Sequence, residues 1–289
     1  MKMCNFGRYF TLALLLAMPN LGLAGVAAGQ QGGAQNAAAD KEPTPEEYLE
    51  GFVVLVKDKE KTTEVSVALE KLARMYADAL AVEEQAQLML DRKQGNSSDH
   101  KRTLRDSERL RKDLADHAWM AIRFRTRDNA DNKKIWSKAI WALGGMPDHG
   151  CKYLWKAFED KRFRKDSKTQ AECIRQIGRT KDYSQYEDLL DLLKHHDYQV
   201  IAGAAQAFQN YGDAPGKIRH ECTKRLVKQL ESFDNAANEG GTSAGKRLGW
   251  TKGPMMKALT AITGQRYGSS LAWTRFWNKN KNKKALWKD

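Results

Sequence analysis

Apolar positions along this chain recur with helical spacing, and in its middle third that pattern itself repeats. Ile201, Ala204, Ala205, Phe208 and Tyr211 fall on one face of a 3.6-residue period and predict an amphipathic helix ending near Gly212. Gly144, Gly178 and Gly212 recur every 34 residues, and the residues before them align. Ala139, Cys173 and Ala207 form a column of small residues; Ile140, Ile174 and Phe208 form a second column, and Leu143, Ile177 and Tyr211 a third. Phe158, Leu192 and Leu226 share a phase further on. A fixed period marks a repeated supersecondary unit, here two helices. The glycine is expected to end the first helix in the left-handed conformation that a residue without Cβ adopts freely. A turn at Pro147-Asp148, Lys181-Asp182 or Ala214-Pro215 then leads into the second helix, whose apolar face in the middle unit is Tyr186, Leu189, Leu190, Leu192 and Leu193. One pair cannot bury its own apolar face, so neighbouring pairs stack. The expected fold is all-α: a right-handed α-solenoid of stacked helical hairpins with three repeats in 129–231.

The segment before the repeats is also helical in pattern. Thr44, Pro45, Glu46 and Glu47 spell a helix start, with Leu49, Phe52, Val53 and Val56 on one face. A long helix is predicted over Thr63–Asp91 and another over Thr103–Phe124, broken around Gly95-Asn96-Ser97. No clean 34-residue register runs through 43–128, which reads as degenerate repeats or a cap. Gly51–Val56 is the one stretch with an ambiguous strand pattern. Residues 1–28 carry Lys2 and Arg8, an apolar run from Tyr9 to Met18, and small residues ending at Ala24 or Ala28, the layout of a secretory signal peptide. That run is far shorter than the ~20 residues that span a bilayer, so the mature chain is expected to be exported, periplasmic or extracellular, with no membrane span. Residues 29–42 are Gly/Ala/Gln-rich and read as a disordered linker.

Charge is distributed unevenly. The formal charge is +13, and without Lys2 and Arg8 it is +11. From Gly240 onward there are eleven basic residues and one acid, Asp289, so this end supplies +10 of the +11. Residues 232–252 read as a flexible insertion and 253–289 as a basic C-terminal capping module. Trp250, Tyr267, Trp273, Phe276, Trp277 and Trp287 are interleaved with its cations. Trp273, Phe276 and Trp277 share one helical face, which closes the stack or offers a stacking surface. The candidate interaction surface is Arg266, Tyr267, Trp273, Arg275, Trp277, Lys279 and Lys281.

Two resemblances rest on these residues. The segment from Asp197 through the Val200-Ile201 and Ala204-Ala205 pairs to Gly212 resembles the first helix of a short bacterial HEAT-like repeat. Ser137–Gly144 and Thr169–Gly178 keep the small residue, the apolar pair and the glycine. A tetratricopeptide array shares the period, but its Trp-x-x-Leu-Gly-x-x-Tyr pattern is absent. Ile262-Thr263-Gly264-Gln265, Tyr267-Gly268 and then Trp273, Phe276 and Trp277 resemble a terminal unit of exported, planctomycete-type HEAT-like proteins. Ser269-Ser270 stands where that family often has an acid. The resemblance implies a fold and an export route and no reaction.

Gly240–Lys246 nearly spells a phosphate-binding loop, but Arg247 replaces the Ser or Thr that holds magnesium and no strand precedes it. His149 with Cys151, His195-His196-Asp197, and His220 with Cys222 lack the paired spacing of a metal site. His195 and His196 are expected at a helix C-terminus, where a partly cationic imidazole is favoured. Cys173 reads as a core thiol, and no pairing of Cys151, Cys173 and Cys222 follows from their spacing. With no nucleophile elbow, paired carboxylates or His-Glu-x-x-His, the sequence implies no enzyme, cofactor or metal. The expected function is a protein-interaction scaffold of the cell envelope with an unknown protein or peptide partner; the alternative is binding of an anionic polymer, an envelope polysaccharide or nucleic acid, through the basic end.

Overall fold

The computed structural model describes residues 43–288; the expected leader and linker, 1–42, lie outside the described residues, as does Asp289. Among those described are eleven α-helices, four short 3₁₀ turns and no strand, so the all-α expectation holds. Helix α1 (Pro45–Lys57) begins with the capping box its sequence spells: the Thr44 hydroxyl accepts from the Glu47 N–H at 3.3 Å, and the Glu47 carboxylate accepts from the Thr44 N–H at 2.8 Å. It includes Gly51–Val56, which resolves that ambiguity. The long helices α2 (Thr62–Asp91) and α3 (Ser97–Phe124) follow. Then come α4 (Ala130–Gly144), α5 (Gly150–Phe158), α6 (Ser167–Arg179), α7 (Tyr186–Asp191) and α8 (Tyr198–Ala207). The chain closes with α9 (Gly216–Asn238), α10 (Thr242–Thr263) and α11 (Ser270–Asn280). Asn129, Asp166, Asp197 and Ser269 cap α4, α6, α8 and α11 through side-chain oxygens that accept from the first-turn N–H groups.

Packing between helices is sequential. Helices α2, α4, α6, α8 and α10 lie each against the next, making one row. On its other side α1 packs on α3, α3 on α4 and α5, α5 on α6, α7 on α9, and α9 on α10 and α11. All three aligned columns, Ala139/Cys173/Ala207, Ile140/Ile174/Phe208 and Leu143/Ile177/Tyr211, are fully buried. The row extends upstream of the recognisable repeats, because α2 abuts α4 although its sequence lacks the register.

The left-handed turn expected at the three glycines is a different device. Left-handed backbone among the described residues falls at Lys93, Gly95, Asp148, Lys181, Gly240 and Gly264, so Asp148 and Lys181 turn the chain after the first two units. Gly144 and Gly178 are still helical and face the next helix of the row. A Cβ on Gly178 would sit 2.3 Å from the Ala207 Cα, and one on Gly144 would sit 2.1 Å from the Gln176 side-chain oxygen. Gly212 is 2.9 Å by the same measure from the Ala261 carbonyl oxygen, and Gly203, inside α8, is 2.7 Å from that of Ala171. The glycine period marks close approach between neighbouring helices.

The expected flexible insertion at 232–252 is also corrected. It is helical except for Glu239–Gly241, and the boundary drawn at 252/253 falls within α10. Its glycines suggested a loop, but burial of Thr251, Met255, Ala258, Leu259 and Ile262 against α8 and α9 holds the helix.

Two substitutions separate packing from turn chemistry. Gly178→Ala should destabilise the fold by about 1–3 kcal/mol through overpacking. Gly51→Ala, in an exposed helix position with nothing within 4 Å, should stabilise it by about 0.5–1 kcal/mol. Urea denaturation of both variants checks this, and equal effects would contradict the packing role.

Candidate functional site

The C-terminal end is built from the α10–α11 turn, α11 and the segment after it. Gly264 ends α10 in the left-handed conformation, φ 70°, and the Ser269 hydroxyl starts α11 by accepting from the Ala272 N–H at 3.2 Å. The Ser270 hydroxyl donates to Asp234 on α9 at 2.5 Å, and Lys252 of α10 approaches the same carboxylate at 3.6 Å, so one acid ties three helices together. Trp273 turns inward where α11 packs on α9 and is fully buried, with Phe276 beside it. Tyr267 meets the edge of Trp273 at 4.9 Å between ring centroids.

This placement divides the expected interaction surface. Arg266, Arg275, Lys279 and Lys281 are exposed, Tyr267 is 36% exposed, and Trp277 is half-buried. Trp273 leaves the candidate surface, because the position that aligns it with Phe276 is the core-facing one. Trp277 and Trp287 both rest against the His220 imidazole of α9, at 4.9 and 5.1 Å, and meet each other at 6.1 Å. His220 Nε2 lies 3.0 Å from the Lys281 carbonyl oxygen, and Arg219 donates to the Lys288 carbonyl at 2.7 Å. Gly216 makes room for this docked segment, since a Cβ there would lie 1.9 Å from the Trp287 carbonyl oxygen. The segment after α11 is therefore seated on α9 through its backbone, with its lysines outward.

A second cluster has no counterpart in the sequence reading. Arg111 on α3 is 2% exposed yet charged. Its guanidinium donates to Asp148 at 2.9 Å, to Glu83 at 2.5 Å, to the Tyr76 hydroxyl at 3.2 Å, and to Glu108. Tyr76 donates to the Pro147 carbonyl, leaving its oxygen to accept from Arg111 and from His149 Nδ1 at 3.0 Å. His149 Nε2 faces Glu108 at 3.2 Å. Burial works against the charge on Arg111, but the bond to Asp148 and the neighbouring groups outweigh it and raise its pKa; burial likewise raises that of Tyr76. The geometry is a tie: α2, α3 and the strained left-handed turn at Asp148 are held by one guanidinium through its two terminal nitrogens, while its buried Nε finds no hydrogen-bond partner. A signal was present, since Arg111 falls in phase with Ser107, Leu114, Ala118 and Ile122 on the buried face of α3.

Other expected chemistry is placed plainly. Cys151, Cys173 and Cys222 are buried and unpaired, and burial pushes the Cys151 thiol up to about 12 and the other two further. The cationic imidazole expected at His195 is not favoured: burial and then the neighbouring His196 lower its pKa, and its Nδ1 accepts from the Asp197 N–H at 3.0 Å. Among the described residues, no group of three or more His, Cys, Asp or Glu side chains is placed to hold a metal ion, and no helix is long and apolar enough to cross a membrane. Comparison with protein-family models, curated proteins and solved structures returns no match.

Removing the guanidinium separates the tie from the basic surface. Arg111→Met should cost about 2–4 kcal/mol, discounted from a fully buried pair because Glu108 and Asp148 are more than half exposed. Arg275→Glu should change stability by less than about 0.5 kcal/mol. Chemical denaturation monitored by circular dichroism distinguishes the two.

Proposed function

We propose that this chain is a non-enzymatic interaction scaffold: a right-handed α-solenoid of HEAT-like hairpins, exported through the leader at 1–28, that presents its C-terminal end to a protein or peptide in the cell envelope. The observation that carries this reading is the continuous row α2–α4–α6–α8–α10, with the three columns that precede the glycines buried in it. A stack of this kind leaves long helix faces in solvent, the arrangement that repeat proteins use for recognition. Burial of Trp273 supports a closing role for α11 and leaves recognition to its polar side. Fold alone assigns no reaction.

A specific feature favours a second reading, in which the partner is an anionic polymer. Arg266, Arg275, Lys279, Lys283 and Lys284 are exposed, and among the described residues no carboxylate pairs with them. Polymer binding through such a surface would release counterions and weaken steeply with salt.

One experiment addresses both. The full chain and its Arg266→Glu/Arg275→Glu/Lys279→Glu variant are immobilised and exposed to an envelope extract, and retention on an anionic matrix is measured over a salt series. The native chain should return the same protein partner in repeated captures and the variant should lose it, with unchanged melting. Repeated recovery of no protein by a monodisperse native chain would overturn the scaffold reading. Steep salt-sensitive retention of the native chain alone would favour the polymer.

A further inference from the structure

We propose that copies of this chain associate head to tail, the outer face of α10 in one copy seating on the outer face of α2 in the next. These are the two ends of the helix row. The C-terminal cap closes the row only in part, because α11 packs on α9. The side of α10 opposite its core residues stays in solvent, with Lys246 and Lys257 exposed, and beside them Trp250, 54% exposed, rests one part of its ring on Tyr198 of α8 at 5.6 Å. Gly245, Gly249 and Gly253 share that side, and a Cβ on any of them would meet nothing within 4 Å. Glycines on the covered faces of the row, such as Gly178 and Gly203, instead meet a neighbouring helix.

Charge decides what fits. No acid occurs between Thr242 and Thr263. Arg247 lies over the Phe233 ring at 5.6 Å and Lys252 approaches Asp234 at 3.6 Å, so both are engaged with α9. Lys246 and Lys257 are left unpaired on the outside. Two α10 helices face to face would oppose lysine with lysine, which argues against a two-fold dimer through this surface.

The outer side of α2 has the complementary chemistry. Val67, Val82 and Leu88 are 58%, 50% and 44% exposed there. Small Ala77 and Ala81 lie among them, and Glu64, Asp78 and Glu84 are exposed and unpaired. Arg74, the exposed cation of this side, is engaged with Glu70 at 3.7 Å. An acidic, partly apolar helix with small residues thus meets a basic one with glycines and an exposed tryptophan. The contact uses different patches on the two copies, so each added copy presents a fresh end and the assembly grows beyond a dimer. Only the outer faces of α2 and α10 take part in this contact, and the capture of other partners is independent of it.

The test is sedimentation velocity of nuclease-treated full chain over a range of concentrations at low and high salt. The native protein should grow into a concentration-dependent ladder that shrinks as salt screens the lysines and carboxylates. Lys246→Glu/Lys257→Glu should raise the dissociation constant about tenfold or more, and Asp78→Lys/Glu84→Lys should do the same. Mixing the two variants pairs an acidic α10 with a basic α2, and a basic α10 with an acidic α2, and should restore the ladder. A native chain that stays monomeric at every concentration would overturn the proposal. So would a closed dimer, variants that assemble as the native chain does, a mixture that stays dissociated, or a ladder seen only before nuclease treatment, which would mark nucleic acid as the bridge. In each of those outcomes partner capture by the monomer would remain open to its own measurement.

Discussion

The structure depends on how closely neighbouring helices of the row approach one another. Gly178 against Ala207, Gly203 against Ala171 and Gly212 against Ala261 are contacts in which a methyl group would collide with backbone. A residue without Cβ lets two helix backbones approach closely and brings the flanking apolar columns into dispersion contact along their length. Glycine within a helix carries a cost of about 0.5–1 kcal/mol relative to alanine, and the packing it permits offsets that cost. Close contacts of this kind recur along the row from α4 to α10. The turns between helices answer to this spacing: Asp148 and Lys181 accept left-handed backbone that glycine would adopt more easily.

Helix content, caps and the inward columns were legible in the sequence because each depends on residues close together in the chain. Thr44 with Glu47, and Asp197 with the helix after it, are local devices of this kind. The role of the repeating glycine was misread because a glycine near a helix end suits both a left-handed cap and a close contact, and only its distance to a helix some 30 residues away separates them. The helical nature of 232–252 was hidden for a similar reason: Gly245, Gly249 and Gly253 lower local propensity, and burial of Met255 and Leu259 by α8 and α9 overrides it. Trp273 and Trp277 share a helical face in the sequence, but whether that face meets α9 or solvent is decided by tertiary packing. The Arg111 tie gathers residues from 76 to 149, and its one local sign is an arginine standing in a column of small and apolar residues.

Charge is handled in two ways along the molecule. Through the N-terminal half it is balanced and paired, as with Arg111 and its carboxylates, Lys138 with Glu70, and Arg162 with Asp160. There the cations also serve as ties: Arg125 donates to the Val56 carbonyl near the end of α1, and Arg162 to that of Ile122 near the end of α3. From α10 onward acids are absent from the described residues, and cations that do not reach back to Asp234 or Phe233 point outward. Pairing serves the fold in the first part, and lack of pairing leaves an electrostatic demand in the second.

That demand bears on how a row of helices ends. A row of packed helices has an uncovered face at each end, and a cap covers such a face with a polar outer surface. Here α11 and the segment seated on Gly216 cover α9, and the aromatic side chains that would otherwise be exposed are absorbed in doing so. Helix α10 receives no such cover, and α2 at the other end exposes valine and leucine. Lysine on the outer side of α10 keeps that surface solvated and opposes contact with its own kind, a form of protection also used at exposed sheet edges. The same lysines do not oppose an acidic surface, so the feature that keeps the end soluble also selects what is able to cover it.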